Sequence, residues 1–313
     1  MRSGLPDLSR RFADGATFVQ FAIMRNLNRI QAMTTDIDAL WNFGDPEGSE
    51  ARFREALTTA SETERQELAT QIARAQGLQQ RFADAHATLD AISTQVSGRQ
   101  RVRYLIERGR ILNSAGSPEL AAPQFLDAIH EAEACGELGL EIDARHMLGI
   151  AAPPHEQETW TVSAIERAEG SDDTSAHAWL GSLLNNLGWI YHDLEQYPKA
   201  LDCFERALVW HTAHGTIDSV RVARWTVGRA LRSCGQIERA LAIQEALTDE
   251  IGDDHPDGYV FEERAECLLA LSRENEARSW FARAHVVLAG DPWIVINEPE
   301  RLARLHQLSI DQK

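Results

Sequence analysis

Residues 184–208 read LNNLGWIYHDLEQYPKALDCFERAL, and the spacing of small and bulky residues in this stretch is the most informative pattern in the chain. The small Gly188 lets a first helix press against its neighbour, and Ala200 and Ala207 admit it from a second helix. The bulky residues predicted to fill the space between the two helices are Leu187, Tyr191 and Phe204. The stretch therefore predicts a helical hairpin that packs against further hairpins.

The same pattern recurs along the chain with a period of roughly 36 to 40 residues. Downstream, Val227-Gly228 repeats the small residue, although Gln244 replaces the expected aromatic residue. The third unit is the weakest, because Pro153-Pro154 are predicted to end its first helix early. We count about six units, at 66–98, 102–135, 142–169, 181–214, 221–250 and 258–291.

The unit at 184–208 resembles the tetratricopeptide repeat, and its Asn185-Asn186-Leu187 start is similar to the longer-period repeats of kinesin light chains. The resemblance implies an all-α fold, a right-handed α-solenoid of stacked helix-turn-helix repeats. A globular chain of 313 residues usually splits into two domains. A solenoid grows by stacking instead, so we expect one continuous superhelix.

The two ends of the chain lack the repeat pattern. Residues 1–32 are predicted to be an N-terminal extension, and our hypothesis is that translation begins at Met33. Residues 33–65 are predicted to form an N-terminal helical cap, in which Asp45-Pro46 begins a helix. Residues 292–313 are predicted to form a C-terminal cap, and their apolar segment 293–296 has two interpretations, closure of the last repeat or a dimer contact.

Composition and charge narrow the function classes. The chain is 43% hydrophobic and 25% charged, which is typical of a protein with a sizeable core. Its net charge of −17 argues against a nucleic-acid partner, since binding to phosphates depends on Lys and Arg. No apolar run approaches the roughly 18 residues that a membrane span needs. The four widely separated cysteines are predicted to be buried free thiols, which suits a cytoplasmic protein.

Signatures of enzymes and metal sites are missing from the sequence. It contains no phosphate-binding loop ending in Gly-Lys-Ser/Thr, no G-x-S-x-G and no H-E-x-x-H. The segment Asp253-x-His255-x-Asp257 starts like a calcium loop but lacks its final glutamate, and we interpret it as a turn. His211 and His214 are predicted to lie in an exposed turn, and His146 has no nucleophile to act with. We therefore predict no enzymatic activity, no cofactor and no metal.

The resemblance also implies which residues would bind a ligand, because the first helix of each tetratricopeptide repeat lines a concave groove. In the second unit the groove positions hold Arg110 and Asn113. The groove is predicted to be basic and aromatic in its middle and acidic at its C-terminal end. The middle and terminal positions are Asn185, Asn186, Trp189, His192, Trp225, Arg229 and Arg232, followed by Glu262, Glu263 and Glu266.

Two functions are compatible with these residues. The first is an adaptor that binds an extended segment of another protein, with Asn186 bonding the ligand's main chain and Arg229 and Arg232 pairing with a carboxylate. The second is a peptide-responsive sensor that controls a transcription factor or kinase. A structural interpretation of the same residues is that the asparagine caps local backbone, the arginines pair with nearby glutamates and the tryptophans pack between repeats. The partner and the oligomeric state are not fixed by the sequence.

Overall fold

The computed structural model describes residues 37–94, 96–252 and 256–310, and no strand occurs among them. The predicted extension at 1–32, Met33, and Asp253 and His255 of the calcium-like segment lie outside the described residues. A short 3₁₀ helix (Ile37–Leu40) precedes the α-helices. The α-helices, numbered in chain order, are α1 (Pro46–Ala56), α2 (Glu62–Leu78), α3 (Phe82–Asp90), α4 (Gly98–Ser114), α5 (Pro118–Cys135), α6 (Leu138–Ala151), α7 (Pro154–Glu169), α8 (Thr174–His177), α9 (Leu180–Asp193), α10 (Tyr197–His214), α11 (Ile217–Ser233), α12 (Ile237–Ile251), α13 (Gly258–Ala270), α14 (Glu274–Leu288), α15 (Pro292–Asn297) and α16 (Pro299–Ser309).

Consecutive long helices pack on one another as antiparallel pairs, so the prediction of an all-α fold of stacked helical hairpins is confirmed. Capping residues begin several of these helices. Ser61 and Thr216 both form capping boxes, in which the side chain accepts from the backbone of the third helical residue. Asp45 caps α1 ahead of Pro46, as the sequence predicts. The division of the chain into six repeats stays a prediction.

Most first helices end in the same turn, which fixes where the second helix of the pair begins. In the α4–α5 turn, Ser117 N donates to Leu112 O (3.0 Å) and closes the wide loop of a Schellman motif. The equivalent turns each hold one residue with a positive φ, namely Gln80, Gly116, Glu195, Gly235 and Ser272. Helix α6 ends differently, because Pro153 and Pro154 follow it and Pro154 starts α7.

The small residues of the repeat lie where the sequence predicts, under bulky side chains of the second helix. A Cβ on Gly188 would lie 2.6 Å from Phe204 Cδ1, and one on Gly109 would lie 2.7 Å from Phe125 Cζ. Both phenylalanines are completely buried. Gln244 covers Gly228 in the same way, but neither end of its fully buried amide has a hydrogen-bond partner. This helix pair therefore replaces an apolar contact with an unsatisfied polar one.

Contacts group the described residues into two compact units, 37–187 and 188–310. In the N-terminal unit, α1 packs on α2, and a buried cluster that includes Trp41, Phe43 and Phe53 covers the start of the stack. In the C-terminal unit, α16 packs against α14. Its Leu305 is buried, as is Ile294 of α15, whereas Val295 and Ile296 are exposed. The single continuous superhelix stays a prediction.

Two further expectations about burial can be compared with the structure. All four cysteines are free, and Cys203 and Cys267 are buried as predicted. The prediction is wrong for the other two: Cys234 is only half-buried, and Cys135 is exposed, because it is the last residue of α5 and precedes the turn at Gly136. None of the described helices is long and apolar enough to cross a membrane.

Candidate functional site

In the N-terminal unit, the first helices carry a row of paired charges, which we call the charged ladder (Arg74, Glu107, Arg110 and Asp143). Arg110 of α4 reaches Glu107 on the same helix (Nη1 to Oε1, 2.5 Å) and pairs with Asp143 of α6. Arg74 of α2 lies 3.9 Å from the same Glu107 oxygen. The four side chains are between 2% and 14% exposed. The charges are therefore held by one another rather than by water.

Burial and pairing shift the pKa values of this ladder in different directions. Burial, together with nearby Arg110, lowers the pKa of Arg74 to about 10. Burial alone would lower the pKa of Arg110 as well, but Asp143 and Glu107 raise it above its ordinary value. Arg110 was predicted to line the groove. Because it already donates to both carboxylates and is nearly buried, its guanidinium is not available to a ligand. Asn113, one turn further along α4, makes no side-chain hydrogen bond to any described residue.

Asn186, the predicted contact to a ligand backbone, is bonded within the N-terminal unit. Its Nδ2 donates to His146 Nε2 of α6 at 2.7 Å, which leaves its carbonyl oxygen as the free hydrogen-bonding group. Burial lowers the pKa of His146 to about 4, so the imidazole is neutral and can accept. Part of the ring reaches the surface, but Nδ1 is buried without a partner. The neighbouring Asn185 is 3% exposed and so is not a surface position.

In the C-terminal unit, the first helices carry a row of aromatic rings beside their charged residues, and we call this row the aromatic ladder (Trp189, Trp225 and Tyr259). The ring centroids of Trp189 and Trp225 are 6.1 Å apart, and those of Trp225 and Tyr259 are 6.2 Å apart. Trp225 Nε1 donates to the Tyr259 carbonyl (3.2 Å), which fixes the indole across two helices. The Arg301 guanidinium lies 4.7 Å above the Tyr259 ring, within cation–π range. Trp189 is buried, whereas Trp225 is half-buried and reaches the surface.

His192 lies beside this ladder at the end of α9. Its ring centroid is 5.3 Å from that of Trp189, and its Nε2 lies 2.9 Å from Ser233 Oγ. Burial and the nearby Arg232 lower the pKa of His192 to about 4. The imidazole is therefore neutral around pH 7 and acts as a polar edge to the aromatic surface.

Two arginines of α11 share one buried carboxylate beside the aromatic ladder. Arg232 contacts Glu263 with two nitrogens (Nε to Oε1 2.5 Å, Nη2 to Oε2 3.0 Å), and Arg229 Nη1 is 3.1 Å from Oε2. Glu263 is 2% exposed, whereas the Arg229 side chain is 33% exposed. The remaining nitrogens of Arg229 make no hydrogen bond to the described residues. This guanidinium is therefore the accessible positive group of the face.

The predicted division into a basic middle and an acidic end does not describe this surface. Glu263 lies under the arginines, and Glu262 pairs with Arg301 of α16 (2.5 Å). Glu266 pairs with Arg304 of the same helix (2.5 Å). The glutamates of α13 are therefore neutralised by arginines of two neighbouring helices, α11 and α16. Tyr259 and Arg301 were not predicted from the sequence, because Tyr259 follows Trp225 by 34 residues, short of the repeat period, and Arg301 lies in the C-terminal segment outside the repeat pattern.

His211 and His214 were predicted to lie in an exposed turn, and this prediction is wrong for His211. His211 is 7% exposed within α10 rather than in an exposed turn, whereas His214 is exposed. Burial lowers the pKa of His211 to about 4. The described residues contain no group of three metal-ligating side chains.

Residues 182–209 match the family model of the tetratricopeptide repeat. The chain therefore contains a tetratricopeptide repeat. The matched segment covers α9 and most of α10, the pair in which Gly188 packs under Phe204. This fold supports a role as a protein-interaction scaffold. No curated protein matches the sequence.

Solved tetratricopeptide structures resemble this repeat protein over most of its length. A STAND-family signal transduction ATPase with a tetratricopeptide sensor from Pyrococcus horikoshii has a TM-score of 0.63 at 13% identity, over 84% of this chain and 42% of that one. The chain thus spans less than half of that ATPase. The apo form of RapI has a TM-score of 0.66 at 10% identity, covering 87% and 77% of the two chains.

The quorum sensor NprR from B. thuringiensis is also similar. Its apo form has a TM-score of 0.59 at 15% identity, covering 94% of this chain and 81% of NprR. NprR in complex with its cognate peptide NprX has a TM-score of 0.52 at 16% identity, covering 82% and 77%. At these identities the likeness shows a shared fold and nothing about a shared ligand.

Proposed function

We propose that this repeat protein is an adaptor that binds an extended segment of a partner protein on the first-helix face of its C-terminal unit. The observation that carries the proposal is the half-buried Trp225 beside Arg229, whose guanidinium is accessible and only partly paired. An aromatic ring supplies apolar contact area at low entropic cost. A guanidinium with open N–H groups can hold a carboxylate through two hydrogen bonds.

The charged ladder of the N-terminal unit is a less suitable binding surface than the face around Trp225 and Arg229. Its arginines are paired with buried carboxylates, so it offers a ligand few unsatisfied groups. Binding to a preformed helical surface costs the protein little ordering entropy, whereas an extended ligand loses much of its freedom. We therefore expect modest affinity, with a dissociation constant on the order of micromolar.

The test is a selection of random extended peptides on the purified chain, followed by titration of the selected sequences. Arg229→Glu should abolish binding, because it reverses the accessible charge. Arg221→Glu is the matched control, since Arg221 also lies on α11 and is also 33% exposed but pairs with Glu250 of α12 rather than with Glu263. If both variants lose binding equally, or if neither loses it, the ligand binds on another surface.

The affinity should also fall as salt rises from 50 to 500 mM, because exposed charges are screened within about 10 Å at 0.1 M ionic strength.

A second function, that of a peptide-responsive sensor, is favoured by the fold likeness to NprR, which has been solved with a bound peptide. On this proposal the bound peptide changes the packing of helices that it does not touch. Hydrogen exchange with and without a selected peptide separates the two functions. Protection confined to α11 and α13 indicates an adaptor, whereas altered exchange in other helix pairs indicates a sensor.

A further inference from the structure

Glu263 is placed as a ligand's carboxylate would be placed, at the point where two arginines of α11 converge. Arg232 holds both of its oxygens, and Arg229 adds a third contact. This is the two-pronged geometry in which arginine recognises carboxylates. The carboxylate belongs to the neighbouring first helix α13, so the protein satisfies its own arginines across two repeats.

The other carboxylates of α13 do not compete for these arginines. Glu262 and Glu266 are bonded by Arg301 and Arg304, two residues of α16. Around Glu263, two guanidinium groups therefore face a single directly bonded carboxylate. The excess positive charge lies on Arg229, the more exposed of the two.

We infer that Glu263 is a built-in competitor for a carboxylate of the ligand, and that a carboxylate is the group which this face selects. The inference rests on the function proposed above. A ligand carboxylate that binds the open N–H groups of Arg229 shares this guanidinium with Glu263, and the charge of Glu263 therefore weakens the binding of an acid more than that of a neutral amide. Removing the charge of Glu263 should strengthen acid binding and leave amide binding nearly unchanged.

The surroundings of Glu263 predict how this competition depends on pH. Burial raises its pKa to about 7, with Glu262 and Glu266 adding to the shift and Arg232 opposing it. The other groups with shifted pKa values on this face titrate outside this pH range: the pKa of His192 is lowered to about 4, that of Cys267 is raised to about 12, and those of Tyr259, Arg232 and Arg301 are raised above their ordinary values. Arg232 and Arg301 therefore stay charged. As pH falls from 8 to 6, Glu263 takes up a proton and releases Arg229, while a peptide carboxylate with a pKa of about 3.5 stays ionised.

Three pools of acetylated hexapeptides with otherwise uncharged side chains test the inference. One ends in a free carboxylate, one ends in a carboxamide, and one ends in a carboxamide but carries a single Asp or Glu. The second pool is the neutral reference, and the third distinguishes a side-chain acid from a chain terminus. In the folded Glu263→Gln variant, the affinity for one of the acidic pools relative to the neutral pool should rise about tenfold, equivalent to about 1.4 kcal/mol.

Glu250→Gln is the matched control, because Glu250 is also shared by two arginines of α11, Arg221 and Arg224, but lies on α12. It changes the net charge equally and should leave the ratio unchanged. In the wild type, the ratio should rise as pH falls from 8 to 6, and this rise should be absent in Glu263→Gln.

Each outcome of this experiment decides the inference. An unchanged ratio in folded Glu263→Gln, with peptides still binding, would overturn it and leave the proposed function standing. Should Glu263→Gln unfold, the wild-type pH series decides alone, and a flat ratio from pH 8 to 6 counts against the competitor role. If no pool binds saturably to any version, the proposed function fails and the inference fails with it.

Discussion

The charged ladder of the N-terminal unit and the aromatic ladder of the C-terminal unit both lie on first helices, but their side chains differ in how far their hydrogen-bonding groups are already paired. In the charged ladder, Arg110 is enclosed by Glu107 and Asp143, and all three are nearly buried. In the aromatic ladder, Trp225 and Arg229 are partly exposed, and Arg229 keeps open donors. Buried ion pairs hold neighbouring helices of the stack together, whereas accessible donors beside an aromatic ring can bind a ligand. One repeat fold thus carries both roles, and side chains rather than backbone separate them.

The largest expected effect comes from breaking the charged ladder. Arg110→Ala leaves Glu107 and Asp143 buried without their shared partner, and we expect a loss of about 3 to 5 kcal/mol in the free energy of unfolding. Urea denaturation followed by circular dichroism measures it. Arg273→Ala is the control, because Arg273 pairs with Glu276 at an exposed turn and its removal should have little effect. Equal losses in the two variants would show that the ladder is not stabilising.

Acid should weaken the N-terminal unit through His146. Its pKa is lowered from 6.5 to about 4 on folding, so its contribution is present above pH 6.5 and is lost as pH falls from 6.5 to 4. We expect about 2 kcal/mol less stability at pH 4, since the ring is not wholly shielded from water. In His146→Gln, an amide can accept from Asn186 without titrating, so this share of the acid sensitivity should vanish. A variant as acid-sensitive as the wild type would exclude His146 as the cause.

A third prediction compares Phe125 of the N-terminal unit with Gln244 of the C-terminal unit, two residues that cover equivalent glycines. The Gln244 amide is fully buried and unpartnered, so Gln244→Leu should raise the free energy of unfolding by about 1 to 2 kcal/mol. Gln244→Ala should lower it instead, because it opens a cavity. Thermal and urea unfolding of both variants provide the measurement. Destabilisation by leucine would mean that the amide makes bonds essential to the pair.

The smallest effect on stability should come from Arg229, which sharpens the contrast with Arg110. Arg229→Gln should cost less than about 1 kcal/mol, because the side chain is partly exposed and Arg232 still holds Glu263. Peptide binding should nevertheless fall by about tenfold, since one charge-assisted contact is lost. Calorimetric titration with a selected peptide and a parallel urea melt separate the two effects. A large loss of stability would assign Arg229 a structural role like that of Arg110.

Much of the fold was predictable because helical hairpins depend on local spacing. The spacing of Gly188 and Phe204 in the sequence predicted that they would pack together. Asp45 and Pro46 likewise predicted the start of α1. Cys135 was mispredicted because a cysteine at the last residue of a helix has the same sequence appearance as a buried one. His211 was mispredicted because the end of α10 extends further than the pattern indicated.

The candidate site was predictable in part of its membership, without Tyr259 and Arg301, but not in its pairing. The sequence placed Arg229, Arg232 and Glu263 on first helices, since that depends on register within a repeat. It could not show that Glu263 lies between the two arginines, that Asn186 bonds His146, or that Arg301 returns to Glu262. These contacts join residues more than 30 positions apart, and their geometry is set by the angle and distance between neighbouring helices.

By itself, the sequence determined the helical-repeat fold and which residues lie on the first helix of each pair, because both follow from short-range periodicity. The tertiary structure alone decided which of those residues are already satisfied. A charged residue looks the same in the sequence whether its side chain is buried in an ion pair or accessible to a ligand. Its availability depends on burial and on the partner supplied by the next helix, and both arise only when the helices are stacked.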